Sequence, residues 1–311
     1  MTESDWAAPG SAPRLETEQE TAVSPPRSAA RAPSLEPTRP LSMRPQGLVD
    51  LLDAGFAVVR ASPALVLGLS AVFVTPLALL SGYLQRDLLD GESFFDVFSD
   101  PSVSAANDTQ WDATVVSLVG GSLAQTFVAV GIARVVSSWY ADTEPDLGNV
   151  LGWLLRRSPL ILLAWLMAHA LQVLGLVALV VGMLVVAVFT IAVAPVLGVE
   201  GGGPINALQR SFSLVRSRFW LCLVFFFASG LLGAIVALAL SALPTGVGFV
   251  IGLDGGWIAV AIGEMVGGMI ATAYVGAATV ALYLDLRIRS EGLDLELALA
   301  DAFPAEVRSG E

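Results

Sequence analysis

An all-α integral membrane protein is the fold class this sequence predicts, and three observations predict it. Of the 311 residues, 55% are hydrophobic and only 14% are charged, against roughly 25% charged in an ordinary soluble domain. The apolar residues come in blocks of about 20 or more, the length a helix needs to cross a bilayer. The arginines fall between those blocks, and almost all of them fall on one side.

Taken in order, residues 1–45 are rich in Pro, Ser, Ala and Glu and lack apolar periodicity, so they read as a disordered tail. Six spans are expected within a membrane domain of residues 46–290. They lie near 64–83, 113–138, 159–180, 183–199, 219–243 and 257–283. The third and fourth come from one apolar block, Pro159 to Val199. As a single helix that block is about 60 Å long, twice the hydrocarbon core, so a tight turn is expected near Gly182. Residues 291–311 read as an acidic tail.

Orientation follows from the charges. There is no lysine, and with the N-terminus inside only Arg86 of the 16 arginines falls outside. The expectation is a cytoplasmic N-terminus, a cytoplasmic C-terminus and residence in a bacterial inner membrane. The all-arginine usage fits a GC-rich bacterial genome. Tyr83, Trp111 and Trp257 mark outer span ends, and Trp139, Trp220 and Tyr283 inner ones, where amphipathic rings settle.

Three stretches look alike: FAVVRASPALVL (56–67), WLLRRSPLILL (153–163) and FSLVRSRFWLCL (212–223). In each, an aromatic residue precedes an arginine by one helical turn: Phe56 and Arg60, Trp153 and Arg157, Phe212 and Arg216. Ring and guanidinium then share a face. The pattern predicts three hairpins of two spans, each introduced by a short amphipathic helix in the inner interface whose arginine faces anionic headgroups. Arg60, Arg157, Arg216, Arg287 and Arg289 are the expected interfacial anchors.

Two motifs carry a family resemblance. APVLGVEGGGPINALQRSFSLVRSRFW holds a Glu-Gly-x-x-x-x-x-small-Leu-x-Arg-Ser pattern from Glu200 to Ser211. YLDLRIRSEGLDLEL, residues 283–297, holds Leu-Asp-x-Arg-x-Arg-x-Glu-Gly. Together with RPQGLVDLLDAGFAVVRASP near the N-terminus, they resemble the membrane-domain family of bacterial glycerophosphodiester phosphodiesterases. The resemblance covers roughly residues 41–300 and implies a stand-alone membrane domain. That family's turn after the third span carries Pro-Gly, where this chain reads VVGM, residues 180–183. The phosphodiesterase barrel needs several histidines and carboxylates around a metal. With one histidine, His169, and no long polar segment, the chain has no such domain.

The remaining chemistry is sparse. One cysteine, Cys222, excludes an internal disulfide. No metal, cofactor or nucleic-acid partner is expected, and no catalytic residue is assigned. Asp285 is expected to pair with a neighbouring arginine where the last span ends, and the acidic residues beyond it read as a solvated tail, not as a cation site. The acidic loop 86–112 lacks calcium-loop spacing. Gln125, His169, Gln172 and Glu264 fall within spans, where polar groups are costly and face a bundle interior or cavity. Glu264 is expected to hydrogen-bond across to another span, with His169 and Gln125 nearest in depth. Gly263 and Gly267 form a GxxxG pair suited to internal packing or to dimerisation.

The functional expectation is a non-enzymatic multi-pass membrane protein, an accessory or scaffold component of a bacterial envelope system. Membrane lipids and protein partners on the cytoplasmic face would be its contacts. The alternative is a small transporter or lipid-handling protein using a polar interior around Glu264 and His169.

Overall fold

The computed structural model describes residues 41, 44–84, 112, 114–141, 143–251, 256–293 and 295. Most of the two predicted tails and of loop 86–112, including Arg86 and Trp111, lies outside the described residues. The described part is all-helical, and five of its helical stretches are long and apolar enough to cross a membrane: Pro63–Leu84, Val116–Tyr140, Leu147–Val199, Phe219–Gly248 and Gly256–Glu291. It is a multi-pass membrane protein.

Helix α1 (Leu48–Ala61) starts where the Asp50 carboxylate accepts the Gly47 N–H at 3.0 Å. Its buried residues Leu51, Ala54, Gly55 and Val58 recur at the spacing of one helical face. Ser62 leaves the helical conformation, as a residue before proline tends to, and α2 (Pro63–Leu84) begins. A π-helical turn, Val116–Gly120, leads into α3 (Gly121–Tyr140). Helix α4 (Leu147–Gly175) is capped by Asp146, whose carboxylate accepts the Asn149 N–H.

Past α4 comes a 3-10 turn, Leu176–Ala178, and then α5 (Leu179–Phe189). The chain reverses here: Gly175 lies against Gly182, and the Gln172 side chain reaches Thr190 at 3.2 Å. The turn therefore sits ahead of the expected position. Gly182 is not its apex but the residue that lets α5 approach α4 closely. Leu179 takes φ 64°, a left-handed conformation that costs a side-chain residue on the order of 1–3 kcal/mol. Helix α5 stops at Thr190, short of the span expected to run to residue 199, and α6 (Val193–Val199) resumes after a break.

Helices α7 (Pro204–Arg216), α8 (Phe219–Ile251) and α9 (Gly256–Glu291) complete the chain. Proline at the first position of α7 suits a helix start, where no N–H is needed. At 36 residues α9 is about 54 Å long. From Ala273 to Ile288 it is buried almost all round, as a central helix must be. Its neighbours fix their direction against it. Ser70 of α2 donates to the Met269 carbonyl at 2.8 Å and Gly82 lies against Ala261, so α2 runs antiparallel. Gly267 and Gly263 lie against Ala237 and Ser241, so α8 also runs antiparallel. A Cβ on Gly267 would sit 2.5 Å from the Ala237 carbonyl oxygen, which assigns the GxxxG pair to internal packing. Gln125 reaches the Thr272 carbonyl and Gly276 lies against Ala129, so α3 runs parallel to α9.

Three expectations are corrected. The interfacial helix expected around Trp153 to Arg157 is fused into α4, which passes through Pro159 without a break. Pro159 has no N–H for the Leu155 carbonyl, and the Ser158 hydroxyl supplies one instead at 2.9 Å. Only α1 and α7 are separate helices of this kind. Next, the last helix continues past the span end expected near Tyr283. It runs on to Glu291, held by the i,i+4 pairs Asp285–Arg289 and Arg287–Glu291. It ends at Gly292, whose φ of 68° is the left-handed stop that glycine accepts. Lastly, the packed domain begins before residue 46: Leu41 is buried and its carbonyl accepts the Tyr140 hydroxyl.

Candidate functional site

One end of the bundle gathers the ends of α3, α6 and α9 and the starts of α4 and α8, together with α1 and α7. It is the charged end, and both family-like motifs meet there. Two helices stop at a Glu-Gly pair: α6 at Glu200-Gly201 and α9 at Glu291-Gly292, with positive φ at both glycines. Both glutamates turn to Arg210 of α7. Its guanidinium contacts Glu200 at 3.0 Å and pairs with Glu291. Those two carboxylates, Glu291 foremost, hold the guanidinium even more firmly charged than usual. The Tyr283 hydroxyl donates to Glu200 at 2.8 Å, and Arg287 joins Glu291 at 2.8 Å.

Asp285 forms the second half of this clasp. It is 1% exposed, takes the Arg289 guanidinium at 2.9 Å and accepts the Gln46 backbone N–H at 2.7 Å. Arg289 also donates to the Gln46 carbonyl. Asp285 thus pairs with a neighbouring arginine as expected and also ties α1 to α9, whereas Glu291, expected in a solvated tail, ties α7 to α9. The anchor set divides accordingly. Arg60 and Arg216 stand exposed at the last turns of α1 and α7. Arg157 bonds the Gly201 carbonyl and, with Arg134, flanks the Trp153 ring. Arg287 and Arg289 bond within the chain.

The polar candidates sit elsewhere. Gln125, His169 and Gln172 line one cavity of about 640 Å³ between α3, α4, the α5–α6 break, α8 and α9. Trp165, Ala168 and Thr190 share its wall, as do Phe227, Gly230 and Leu231 of α8. None of the described residues lining it is charged. Toward the charged end α5 and α8 meet where the rings of Phe189 and Phe219 tilt together, their centres 5.4 Å apart. On the α8 side Phe227 is 55% and Leu231 64% exposed, so this wall opens sideways. A Cβ on Gly230 would meet nothing within 4 Å.

The break between α5 and α6 shapes the cavity and has its own support, which the sequence did not announce. Ser211 of α7 is fully buried. Its hydroxyl donates to the Phe189 carbonyl at 2.6 Å and accepts the Ala192 N–H at 3.2 Å. Such groups left unpaired in an apolar interior would cost about 1–3 kcal/mol each.

Glu264 does not join this set. It lines a separate cavity of about 270 Å³ with Ser81, Ser117 and Thr272, between α2, the π turn, α3 and α9. Ser81 and Ser117 bridge that gap, with hydroxyl oxygens 3.0 Å apart. Among the described residues Glu264 makes no hydrogen bond to Gln125 or His169. Gln125 turns to the Thr272 carbonyl and His169 to the Trp165 carbonyl at 2.9 Å. Nor do any three His, Cys, Asp or Glu side chains among the described residues come together to hold a metal ion. No protein-family model, curated protein or solved structure matches the chain.

Proposed function

We propose that this protein is a non-enzymatic, six-span protein of a bacterial inner membrane that holds a lipid in the cavity between α4, α5 and α8. The sixth span is supported by the reversal at Leu176–Leu179, which splits Leu147–Val199 into two antiparallel arms. Three hairpins result: α2 with α3, α4 with α5–α6, and α8 with α9. Cytoplasmic placement of both termini rests on the arginines gathered at the charged end. A reporter fused after Ala178 is expected to read outside, and fusions after residues 148, 205 and 300 inside.

The lateral opening carries the lipid reading. Phe227 and Leu231 stand eight and twelve residues beyond the start of α8 at Phe219, about 12 and 18 Å along a helix. That is inside the hydrocarbon of a bilayer about 30 Å thick, so the cavity faces acyl chains rather than water. A cavity of this size lies in the range of small-ligand sites, roughly 300–1,000 Å³. The resemblance to a membrane domain attached to phosphodiesterases of lipid-derived glycerol compounds agrees with a role beside lipids. An accessory or scaffold role would use the charged end, where Arg60 and Arg216 stand free for headgroups or partners; the cavity gives the lipid-handling reading precedence.

The test is lipid extraction and mass spectrometry of the full chain purified in mild detergent, beside Gly230→Phe. That ring fills the cavity from a position with open space around it. Wild type is expected to retain a lipid near one per chain and the variant several-fold less. Equal retention would return the scaffold reading to first place.

A further inference from the structure

We propose that the cavity between α4 and α8 selects an uncharged lipid, a long apolar chain ending in a hydroxyl, and seats that hydroxyl near the middle of the membrane against His169 and Gln172. This rests on the lipid-handling reading and names the class of its ligand.

Three observations lead to it. The first is charge: among the described lining residues the polar groups are amides, hydroxyls, one indole and one imidazole, with no arginine to meet a phosphate. A phosphate buried without a cation is strongly disfavoured. The second is depth. His169 and Gln172 follow Arg157 by twelve and fifteen residues, about 18 and 22 Å along α4. With Arg157 at the interface of a core about 30 Å thick, His169 lies just past the midplane and Gln172 a little under one turn farther on, both within the hydrocarbon. A phospholipid keeps its headgroup at the surface and brings only acyl chain to that level, where the polar groups here would go unanswered. A long-chain alcohol or a diacylglycerol can immerse its head.

The third observation is hydrogen-bonding capacity. His169 Nδ1 lies 2.9 Å from the Trp165 carbonyl. A carbonyl only accepts, so Nδ1 carries a proton, and in that tautomer Nε2 is the acceptor. Gln172 gives one amide hydrogen to Thr190 Oγ1 at 3.2 Å. Thr190 in turn spends its own hydrogen on the Val186 or Ala187 carbonyl. Among the described residues, the second amide hydrogen and Oε1 of Gln172 have no partner. His169 and Gln172, three apart on one helix, stand side by side. Together they offer one acceptor and one donor, the pair that a hydroxyl satisfies at once. The chain of such a lipid would lie against Ala168, Phe227 and Leu231 and leave through the open side.

The experiment uses the full-length protein in mild detergent and two photoreactive probes of equal chain length, a long-chain alcohol and a phosphatidate. Labelled residues are located by peptide mass spectrometry. The alcohol is expected to label peptides containing residues 164–172 and 226–234, competed by unlabelled alcohol. Labelling should fall at least about fivefold in Gly230→Phe and in Gln172→Leu, the scale of one buried hydrogen bond or more. Both variants are first checked for a monodisperse elution profile. The wild-type preference between probes tests the idea without either variant. Phosphatidate labelling of those peptides equal to or above that of the alcohol would overturn the proposed class and leave the lipid-handling reading standing. If neither probe labels them above the Gly230→Phe background, the lipid-handling reading falls as well.

Discussion

At the charged end, Arg210 meets Glu200 and Glu291, Tyr283 donates to Glu200, and Asp285 holds both Arg289 and the Gln46 backbone. A few turns back along the same central helix, Val275 and Thr279 face a cavity. There Gln125 makes one long contact of 3.4 Å, and His169 and Gln172 keep hydrogen-bonding capacity unspent. The clasp of the charged region spends its polar groups on itself and closes α1, α6, α7 and α9 into one unit. The middle region leaves neutral polar groups facing open space. Buried polar groups are normally satisfied. A set that is satisfied at one level and open at the next separates what holds the fold from what is left to meet something else.

This contrast can be broken by experiment. The largest effect is expected at the clasp: Asp285→Ala removes the buried acceptor that ties α1 to α9. Unfolding in mixed micelles should show a loss of about 3 kcal/mol, the low end for breaking a buried pair, because the partner is partly exposed. Arg289 is 25% exposed and can recover some water. A loss below half of that would mean the clasp is ornamental. Ser211→Ala should cost less, about 2 kcal/mol, the low end for two backbone groups left without a partner. It should also raise hydrogen exchange at residues 190–194. The smallest effects belong to the cavities. Gln172→Leu should change stability by about 0.5 kcal/mol, typical of a hydrogen bond between membrane helices. Glu264→Leu should not lower it at all, since no described residue bonds that carboxyl. If Glu264→Leu instead destabilised the protein as much as Asp285→Ala, the division between clasp and cavities would be wrong.

The fold class was legible because a bilayer imposes long apolar blocks, and nothing else explains them as simply. The reversal within residues 159–199 was legible from length alone. Its position was not, since Leu179 occupies a conformation that no local signal would assign to leucine. Trp153 to Arg157 looked like a separate interfacial helix because it copies its neighbours in sequence. Its Ser158-Pro159 matches the Ser62-Pro63 of the first copy, yet Ser158 stays helical and donates to the Leu155 carbonyl where Ser62 leaves the helix. The polar candidates were found from the cost of burying them, and that reasoning located Gln125, His169 and Gln172 together. It also grouped Glu264 with them by depth, whereas depth says nothing of which side of a helix a residue faces. The clasp was hidden for a different reason. Glu200, Arg210 and Glu291 are strung over ninety residues of sequence, and only packing of α6, α7 and α9 brings them to one point.

The support that Ser211 gives the α5–α6 break also has a meaning in time. Ala192 leaves the ribosome 19 residues before Ser211, about one to four seconds at roughly 5–20 residues per second. During that interval the Ala192 N–H and the Phe189 carbonyl lack the hydroxyl that later serves them. Pro195 already denies the Ile191 carbonyl a helical N–H, so the chain is weakened at this level from the start. In an apolar surrounding the two waiting groups have no water to turn to. The arrival of α7 supplies their partner and fixes the break, and the floor of the cavity with it.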